Sequence, residues 1–345
     1  DDLCRQRMPI GFAGCRDPGS EALRRAVDND AMRSALDNEA FRSALDNEAF
    51  RSALDRMNET PGIAFTASSA QFYEWVAEND PEMLNEIRKR VEEGRWNVVG
   101  GWWVEPDMNI PGGEAMVRQG LYGQLTLEKL LGVRSNVAFN PDSFGHTGNL
   151  PQIISKQGMD NYVFMRPGPG EKTIPADLFW WEGPDGTRVL TYRIPVSYND
   201  SRSVRSRIEQ VMTQLKDQPF TTFMSYYGVG DHGGGPTKEN IASIFEIQSE
   251  KDAPLLLFST PGAFFNEIRS DRSLSLPVIK DDLQHHAVGC YTAEAEIKKN
   301  NRLAEASSIH CRSSSISASG RSSGSKPSSR ARSPWSTAPV VTISL

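Results

Sequence analysis

The chain has 345 residues, a formal net charge of −6 at pH 7 and 38% apolar residues, enough for a buried core in one large or two small domains. The negative charge argues against general nucleic-acid binding. No stretch approaches the roughly 20 apolar residues of a membrane span, and the first residues lack a signal-peptide pattern. The four cysteines form no CxxC pair, so we expect reduced thiols in a cytoplasmic protein.

A nine-residue repeat occupies the region 24–59. The sequence RSALDNEAF at 33–41 recurs unchanged at 42–50, with a looser copy before it and a partial copy after it. Nine residues make about two and a half helical turns, so Leu36 and Leu45 would lie on opposite faces. The high helix propensity still predicts a helix, either bridging two partners or simply lengthened by a tandem duplication, which is the interpretation we favour. We treat 1–60 as an atypical helical segment.

The region 61–305 alternates between strand and helix patterns, which predicts an α/β fold with a largely parallel sheet. The turn Gly-Pro-Asp-Gly at 183–186 predicts a β-hairpin between the two strands that flank it. Predicted strands lie at 63–67, 97–100, 137–139, 162–164, 178–181, 189–192, 221–226 and 254–259, and predicted helices at 71–93 with a break near Pro81, 113–131, 150–157, 205–216 and 293–306. This pattern alone does not separate an open sheet from a barrel.

The segment 306–345 has a different composition from the rest of the chain. It holds 15 Ser and five Lys or Arg, and no Asp or Glu. Such a sequence buries too little apolar surface to offset the entropy of ordering it. We therefore expect a disordered tail, either a basic segment for an acidic partner or the product of a shifted reading frame.

The segment AFNPDSFGH at 138–146 carries the strongest candidate for chemistry. The apolar run before it can end a buried strand, which Asn140-Pro141 then breaks. This places Asp142 at the carboxyl end of a strand, where barrel and open-sheet enzymes keep their catalytic groups. The alternative is that Asp142 only hydrogen-bonds its own turn.

Two further segments carry candidate site residues. Five glycines at 228–235 surround Asp231 and His232 and would let a ligand approach the backbone closely. No Lys-Ser or Lys-Thr follows these glycines, so a Walker-type phosphate loop is not expected. The segment GGWWVEPDMN at 100–109 offers Trp102 and Trp103, whose flat rings suit either a sugar or the core. It also holds Glu105 and Asp107, two carboxylates at the end of the same strand.

These segments, with those at 112–120, 164–168 and 227–237, resemble in order the sequence of glycoside hydrolase family 38, the retaining α-mannosidases, in the catalytic N-terminal domain of its bacterial and archaeal branch. The resemblance covers about residues 50–306. It implies a seven-stranded β/α barrel, an α-mannoside oligosaccharide or glycoside as substrate, and zinc as cofactor. It also implies hydrolysis by double displacement, which needs a nucleophile and an acid/base.

The resemblance also assigns roles to individual residues. It implies that Asp142 is the nucleophile and a metal ligand, and that Arg166 lies near it and favours its ionised form. Asp231 is the candidate acid/base. The candidate substrate-binding residues are Arg166, Phe144, Trp102, Trp103, His146 and His232, of which the two histidines could also stand in as metal ligands. The pair His285-His286 is expected at the rim of the site.

One zinc-binding element of the family is missing from this sequence. Family members carry His-x-Asp-x-x-Trp on their first strand, whereas the first histidine here is His146. We therefore expect an incomplete barrel from a truncated or frame-disturbed member, with impaired zinc binding. The alternatives are a catalytically impaired fragment that retains carbohydrate binding, and a metal-dependent carbohydrate deacetylase-like barrel, which would need a His/Asp cluster.

Overall fold

The computed structural model describes residues 39–198, 203–229, 235–284, 286–318 and 340–344. Four residues named above, Leu36, Asp231, His232 and His285, lie outside these ranges.

The described elements alternate between helix and strand, so the chain has the mixed α/β fold that the sequence predicts. The first half contains α1 (Glu39–Glu59), β1 (Phe65–Ala67), α2 (Ala70–Asn79), α3 (Pro81–Glu92), β2 (Trp96–Val98), α4 (Gly113–Leu131), β3 (Val137–Asn140), α5 (Leu150–Lys156), β4 (Asn161–Phe164), β5 (Leu178–Glu182) and β6 (Arg188–Arg193). The second half contains α6 (Val204–Leu215), β7 (Thr222–Tyr226), α7 (Lys238–Gln248), β8 (Leu255–Ser259), α8 (Pro261–Ser270), β9 (Val278–Ile279), α9 (Val288–Thr292), α10 (Ala295–Ala318) and β10 (Val340–Ser344).

Local sequence signals set several of these helix boundaries. The break between α2 and α3 falls at Asp80, whose side chain accepts a hydrogen bond from the Met83 amide at 2.9 Å and caps α3. Helix α4 ends at Gly132, which adopts the left-handed conformation with φ of 71°. Helix α7 begins with a capping box formed by Thr237 and Asn240.

The strands form hydrogen-bonded ladders in three sheets within the described residues. Strands β1 and β2 pair in parallel, β7, β10 and β8 form a three-stranded sheet, and a five-stranded sheet has the order β3-β4-β6-β5-β9. Strands β5 and β6 form the predicted antiparallel hairpin. The closed seven-stranded barrel implied by the family resemblance is therefore not confirmed.

At two junctions between the described sheets, isolated hydrogen bonds occur where a barrel would have continuous ladders. After β2 the chain turns through Gly100 and Gly101, both with positive φ, and only the Gly100 amide reaches the carbonyl of Val137 on β3, at 2.8 Å. Between β6 and β7 the hydroxyl of Tyr192 donates to the Met224 carbonyl at 2.9 Å. After β2, the ladder is interrupted because the backbone at Gly100 and Gly101 is not extended. Between β6 and β7, it is interrupted by the side chain of Tyr192.

Two parts of the segment 306–345, for which we predicted a disordered tail, form regular structure. Helix α10 continues to Ala318, and Val340–Ser344 forms β10, antiparallel to both β7 and β8. Val340, Val341 and Ile343 are buried. The run Val-Val-Thr-Ile has high β-propensity, and the facing edges of two strands offer it backbone partners on both sides. The segment between these two elements lies outside the described residues.

Helix α1 packs onto the same core as the strands. Phe50, Leu54 and Met57, at helical spacing, are all buried. The ring of Phe50 lies 5.1 Å from that of Trp96 and 6.4 Å from that of Phe65, in edge-to-face geometry. The described side chains at the end of the repeat therefore form one apolar stripe against the core. Leu36 and the side chain of Leu45 are not among the described parts of the structure.

Candidate active site

The candidate site forms where the loops after two neighbouring parallel strands meet. Strands β3 and β4 pair in a register that places Asn140 opposite Phe164. Asp142 follows β3 by two residues and Arg166 follows β4 by two residues, so both lie at the carboxyl edge of the sheet. The side chain of Asn140 donates to the Pro106 carbonyl at 2.9 Å, which ties the loop after β2 to the same edge.

Asp142 and Arg166 form an ion pair in this edge. The Arg166 guanidinium contacts the Asp142 carboxylate and also donates to the Asp142 backbone carbonyl at 3.2 Å. The side chain of Asp142 is 11% exposed and that of Arg166 27% exposed, so both remain open to a ligand. The Asp142 amide donates to Glu105 at 3.0 Å, which fixes the backbone behind the carboxylate.

Phe144 lies beneath the same guanidinium. The Arg166 Cζ atom is 5.3 Å from the centre of the Phe144 ring, within the range of a cation–π interaction. The ring also forms an edge-to-face pair with that of His286 at 5.0 Å. Nδ1 of His286 also contacts the carboxylate of Glu171, so His286 joins the loops around the site, close to the rim position that we predicted.

His146 lies beneath the site and is fully buried. Its Nε2 lies 2.9 Å from the carbonyl oxygen of Arg166, and its Nδ1 lies 2.6 Å from the hydroxyl of Tyr162. Burial lowers the pKa of His146 to about 3, so the ring is neutral near pH 7. The ring of His146 is enclosed by protein, so the predicted sugar contact stays a prediction and would require this packing to open.

Trp102 and Trp103 are core residues in this structure. They are 2% and 5% exposed, and Trp102 donates its indole N–H to Gln157 at 2.9 Å. Helix α4 packs directly on their backbone, since a Cβ at Gly123 would lie 2.5 Å from the carbonyl carbon of Trp102. Stacking of either ring on a sugar stays a prediction, and it would require this packing to open.

The two further carboxylates of this loop have different positions. Glu105 is buried and accepts from the Asp142 amide. Asp107 accepts from the amides of Asn109 at 2.8 Å and Ile110 at 2.7 Å, so it folds its own loop. Glu105 is thus the carboxylate that touches the backbone of the predicted nucleophile.

The candidate acid/base Asp231 and its neighbour His232 belong to a loop beyond the described residues. The described flanks of this loop are joined, because the amides and carbonyls of Val229 and Gly235 pair at 2.9 and 2.8 Å. Gly228 has a φ of 104°, and a Cβ there would lie 2.7 Å from the Gly235 carbonyl oxygen. The glycines therefore allow the two ends of the loop to approach closely. Catalysis by Asp231 and sugar binding by His232 stay predictions.

The described residues do not fit the zinc ion that the family resemblance implies. In the ranges 39–198, 203–229, 235–284, 286–318 and 340–344, no three His, Cys, Asp or Glu side chains come together as a metal site. A catalytic zinc ordinarily has three protein ligands, and the carboxylate of Asp142 already faces the Arg166 guanidinium.

Tyr162, the hydrogen-bond partner of His146, was not predicted from the sequence. Tyr162 is fully buried on β4, and its ring also stacks against that of Trp181 at 5.5 Å. A buried histidine needs partners for both ring nitrogens. A polar aromatic residue in the otherwise apolar stretch before Arg166 was the available signal.

A solved structure shares this fold. The crystal structure of an α-mannosidase from Enterococcus faecalis V583 superimposes with a TM-score of 0.55 at 21% sequence identity, over 68% of this chain and 28% of that one. The likeness extends to the mixed α/β architecture that carries the site.

Sequence comparison identifies the family. The family model for the Glycosyl hydrolases family 38 N-terminal domain matches residues 42–287. Alpha-mannosidase G of Dictyostelium discoideum is 36% identical over 251 residues, which is 72% of this chain and 23% of that protein. Human alpha-mannosidase 2C1 is 32% identical over 254 residues, 72% of this chain and 24% of that protein. The chain therefore belongs to glycosyl hydrolase family 38, and it spans about a quarter of the length of these curated relatives.

Proposed function

We propose that this chain carries the nucleophile of a retaining α-mannosidase and acts on α-linked mannosides. The observation that carries the proposal is the partly exposed carboxylate of Asp142, held by Arg166 at the carboxyl edge of β3 and β4. Membership of family 38 and the α-mannosidase names of its relatives support the same activity.

The proposed reaction is a double displacement. Asp142 attacks the anomeric carbon, the bond from that carbon to the leaving oxygen breaks, and Asp231 gives its proton to that oxygen. Asp231 then removes a proton from water, whose oxygen attacks the same carbon and releases Asp142 as a carboxylate. The mannose product keeps the α configuration because the carbon is inverted twice.

Arg166 and Glu105 would prepare Asp142 for this attack. The guanidinium of Arg166 favours the ionised, nucleophilic form of the carboxylate. The hydrogen bond from the Asp142 amide to Glu105 fixes the backbone from which the nucleophile projects. The open side of the Arg166–Phe144 pair offers a charged and an aromatic group to sugar hydroxyls and ring carbons, which supports the predicted substrate contacts of both residues.

The proposal also concerns the metal cofactor, the cellular location and the substrate of the protein. The family resemblance implies a metal at Asp142, but the described side chains supply no set of ligands, so the steps above involve protein groups alone. We propose a cytoplasmic location from the expected reduced thiols; within the described residues Cys290 is exposed and forms no disulfide. In the described part of the chain, no helix is both long and apolar enough to cross a bilayer. The expected partner is an α-mannoside oligosaccharide or glycoside.

Hydrolysis of 4-nitrophenyl α-D-mannopyranoside by the full chain tests the proposal. Asp142→Asn should lower turnover about a thousandfold or more, because it removes the attacking group. Asp160→Asn is the matched control, since this exposed Asp precedes β4 at the opposite end of the same strand pair. Equal turnover in the parent and Asp142→Asn proteins, or none in the parent, would reject the assignment.

One alternative has its own support. The lack of a three-ligand group among the described side chains favours a catalytically impaired chain that still binds carbohydrate. Calorimetric binding of methyl α-mannoside without any turnover would identify that state. A carbohydrate deacetylase needs a His/Asp metal cluster, and the described residues supply none.

A further inference from the structure

We propose that His146 is a positioning residue that holds Arg166 against Asp142 through a buried chain of hydrogen bonds from Tyr162. The role in catalysis rests on the proposed function, since it concerns the alignment of the same nucleophile. The chain runs from the Tyr162 hydroxyl to Nδ1 of His146 at 2.6 Å and from Nε2 to the Arg166 carbonyl at 2.9 Å.

The partners of the ring determine its tautomer. A backbone carbonyl can only accept a hydrogen bond, so Nε2 of His146 must carry the proton that faces Arg166. Nδ1 then has a lone pair, and the hydroxyl of Tyr162 must donate to it. Tyr162 thus selects the one neutral form of the imidazole that can hold the Arg166 carbonyl.

The histidine is itself fixed by its surroundings. Its amide donates to the Leu283 carbonyl at 2.8 Å, and the Leu283 amide donates back at 3.0 Å. The rings of Tyr162 and Phe164 lie edge-to-face against the imidazole at 5.5 and 5.4 Å. Because the backbone of His146 is hydrogen-bonded and its ring is enclosed, the Nε2 atom has a fixed position next to the Arg166 carbonyl.

The held carbonyl belongs to the residue whose guanidinium contacts Asp142. Arg166 lies in the loop beyond β4, with no strand partner of its own, so its backbone depends on contacts of this kind. The side chain then reaches both the carboxylate and the carbonyl of Asp142. A shift of the Arg166 backbone therefore moves the guanidinium relative to the nucleophile, and small displacements at such a position slow catalysis strongly.

Two substitutions at His146 separate its two hydrogen bonds. In His146→Gln the side-chain amide nitrogen takes the place of Nε2 and can still donate to the Arg166 carbonyl. In His146→Asn the shorter side chain places its amide only where Nδ1 was, so the hydrogen bond to the Arg166 carbonyl is lost. Tyr162→Phe removes the donor to Nδ1 with little change in volume. Tyr73→Phe is the matched control, because Tyr73 is also fully buried and also hydrogen-bonded, through the Trp96 indole at 2.9 Å.

We expect His146→Asn to lower kcat for 4-nitrophenyl α-D-mannopyranoside about 10- to 100-fold, with KM changed less than about threefold. His146→Gln should restore most of the lost turnover, and Tyr162→Phe should lie between the two. Tyr73→Phe should leave kcat unchanged. Equal losses in the Asn and Gln variants, or a loss in Tyr73→Phe as large as that in Tyr162→Phe, would overturn the positioning role.

A spectroscopic measurement tests the arrangement without relying on turnover. In protein with ring-¹⁵N histidine, the signals of His146, assigned by their loss in His146→Gln, should show a protonated Nε2 and an unprotonated Nδ1 at pH 6. The guanidinium Nε–H signal of Arg166, assigned by its loss in Arg166→Lys, should move in His146→Asn and stay in Tyr73→Phe. The opposite tautomer, or an unmoved Arg166 signal, would overturn the proposal. If these signals behave as expected but the parent lacks turnover, the proposed function fails and the arrangement stands.

Discussion

The guanidinium of Arg166 lies 5.3 Å from the centre of the Phe144 ring while it contacts the carboxylate of Asp142. One cation thus joins the predicted nucleophile to an aromatic face, and the planar shape of the guanidinium permits both contacts at once. A compact ammonium group cannot reproduce this pair of contacts.

Arg166→Lys therefore tests whether the shape of this cation matters beyond its charge. We expect kcat/KM for a nitrophenyl α-mannoside to fall about 10- to 100-fold, the effect of losing a charge-assisted hydrogen bond of about 1.5–3 kcal/mol. Arg188→Lys is the control, because Arg188 forms an exposed ion pair with Glu182 at 2.6 Å. A decrease no larger than that of the control would contradict the assigned role.

The buried neutral His146 makes stability depend on pH. Its pKa falls from about 6.5 in an unfolded chain to about 3 in the fold because burial disfavours the charged ring. Between these values the unfolded chain binds the proton and the folded chain does not, so acidification destabilises the fold. From pH 7 to pH 5 the parent should lose about 2 kcal/mol more than His146→Gln. Urea unfolding at the two pH values measures this difference, and parallel pH profiles would contradict it.

A buried ion pair lies beside the hairpin. The side chains of Arg193 and Asp177 are 4% and 3% exposed, and Arg193 also donates to the Lys172 carbonyl at 2.8 Å. Asp177→Asn leaves the guanidinium buried without its counter-ion and should lower the free energy of unfolding by about 3–5 kcal/mol.

The control for Asp177→Asn is Asp281→Asn, because Asp281 pairs with Lys172 but is 68% exposed. This surface change should cost less than about 1 kcal/mol. Urea unfolding at pH 7 measures both variants, and equal effects would show that the Arg193–Asp177 pair is solvated.

The docking of β10 can be tested at Ile343, which is fully buried between β7 and β8. Ile343→Ala should lower the free energy of unfolding by about 2–5 kcal/mol, as for other large core residues. Leu257→Ala on the neighbouring strand is the control, since Leu257 is 47% exposed. If thermal unfolding of Ile343→Ala matches the control, β10 does not occupy this place in solution.

Much of the secondary structure was predictable because its signals are local. The bounds of α4 agree with the prediction, since Gly112 precedes it and Gly132 caps it in the left-handed conformation. The hairpin of β5 and β6 followed from one turn sequence. The meeting of Asp142 and Arg166 was also predictable, because it depends on two parallel strands having their carboxyl ends at one edge.

Features that depend on distant partners were not predictable from the sequence alone. A tryptophan next to glycines fits a sugar or a core equally well, and only the approach of α4 through Gly123 placed Trp102 inside. The hydrogen bond between His146 and Tyr162 joins the loop after β3 to strand β4. Because it is made by two side chains from different elements, no local sequence pattern predicts it. Closure of the barrel, which the family resemblance implies, is not confirmed; after β2 the positive φ values of Gly100 and Gly101 interrupt the ladder.

The position of β10 also has a consequence for the order of folding. The strands from β3 to β6 lie close together in sequence and can pair as soon as they emerge from the ribosome. In contrast, β7 and β8 share no ladder in the described sheets, and both pair with residues 340–344, which are synthesised long after both. The sheet of β7, β10 and β8 therefore has a high contact order. Until β10 has been synthesised, a nascent chain exposes the unpaired edges of β7 and β8, and chaperone binding or self-association at these edges competes with folding.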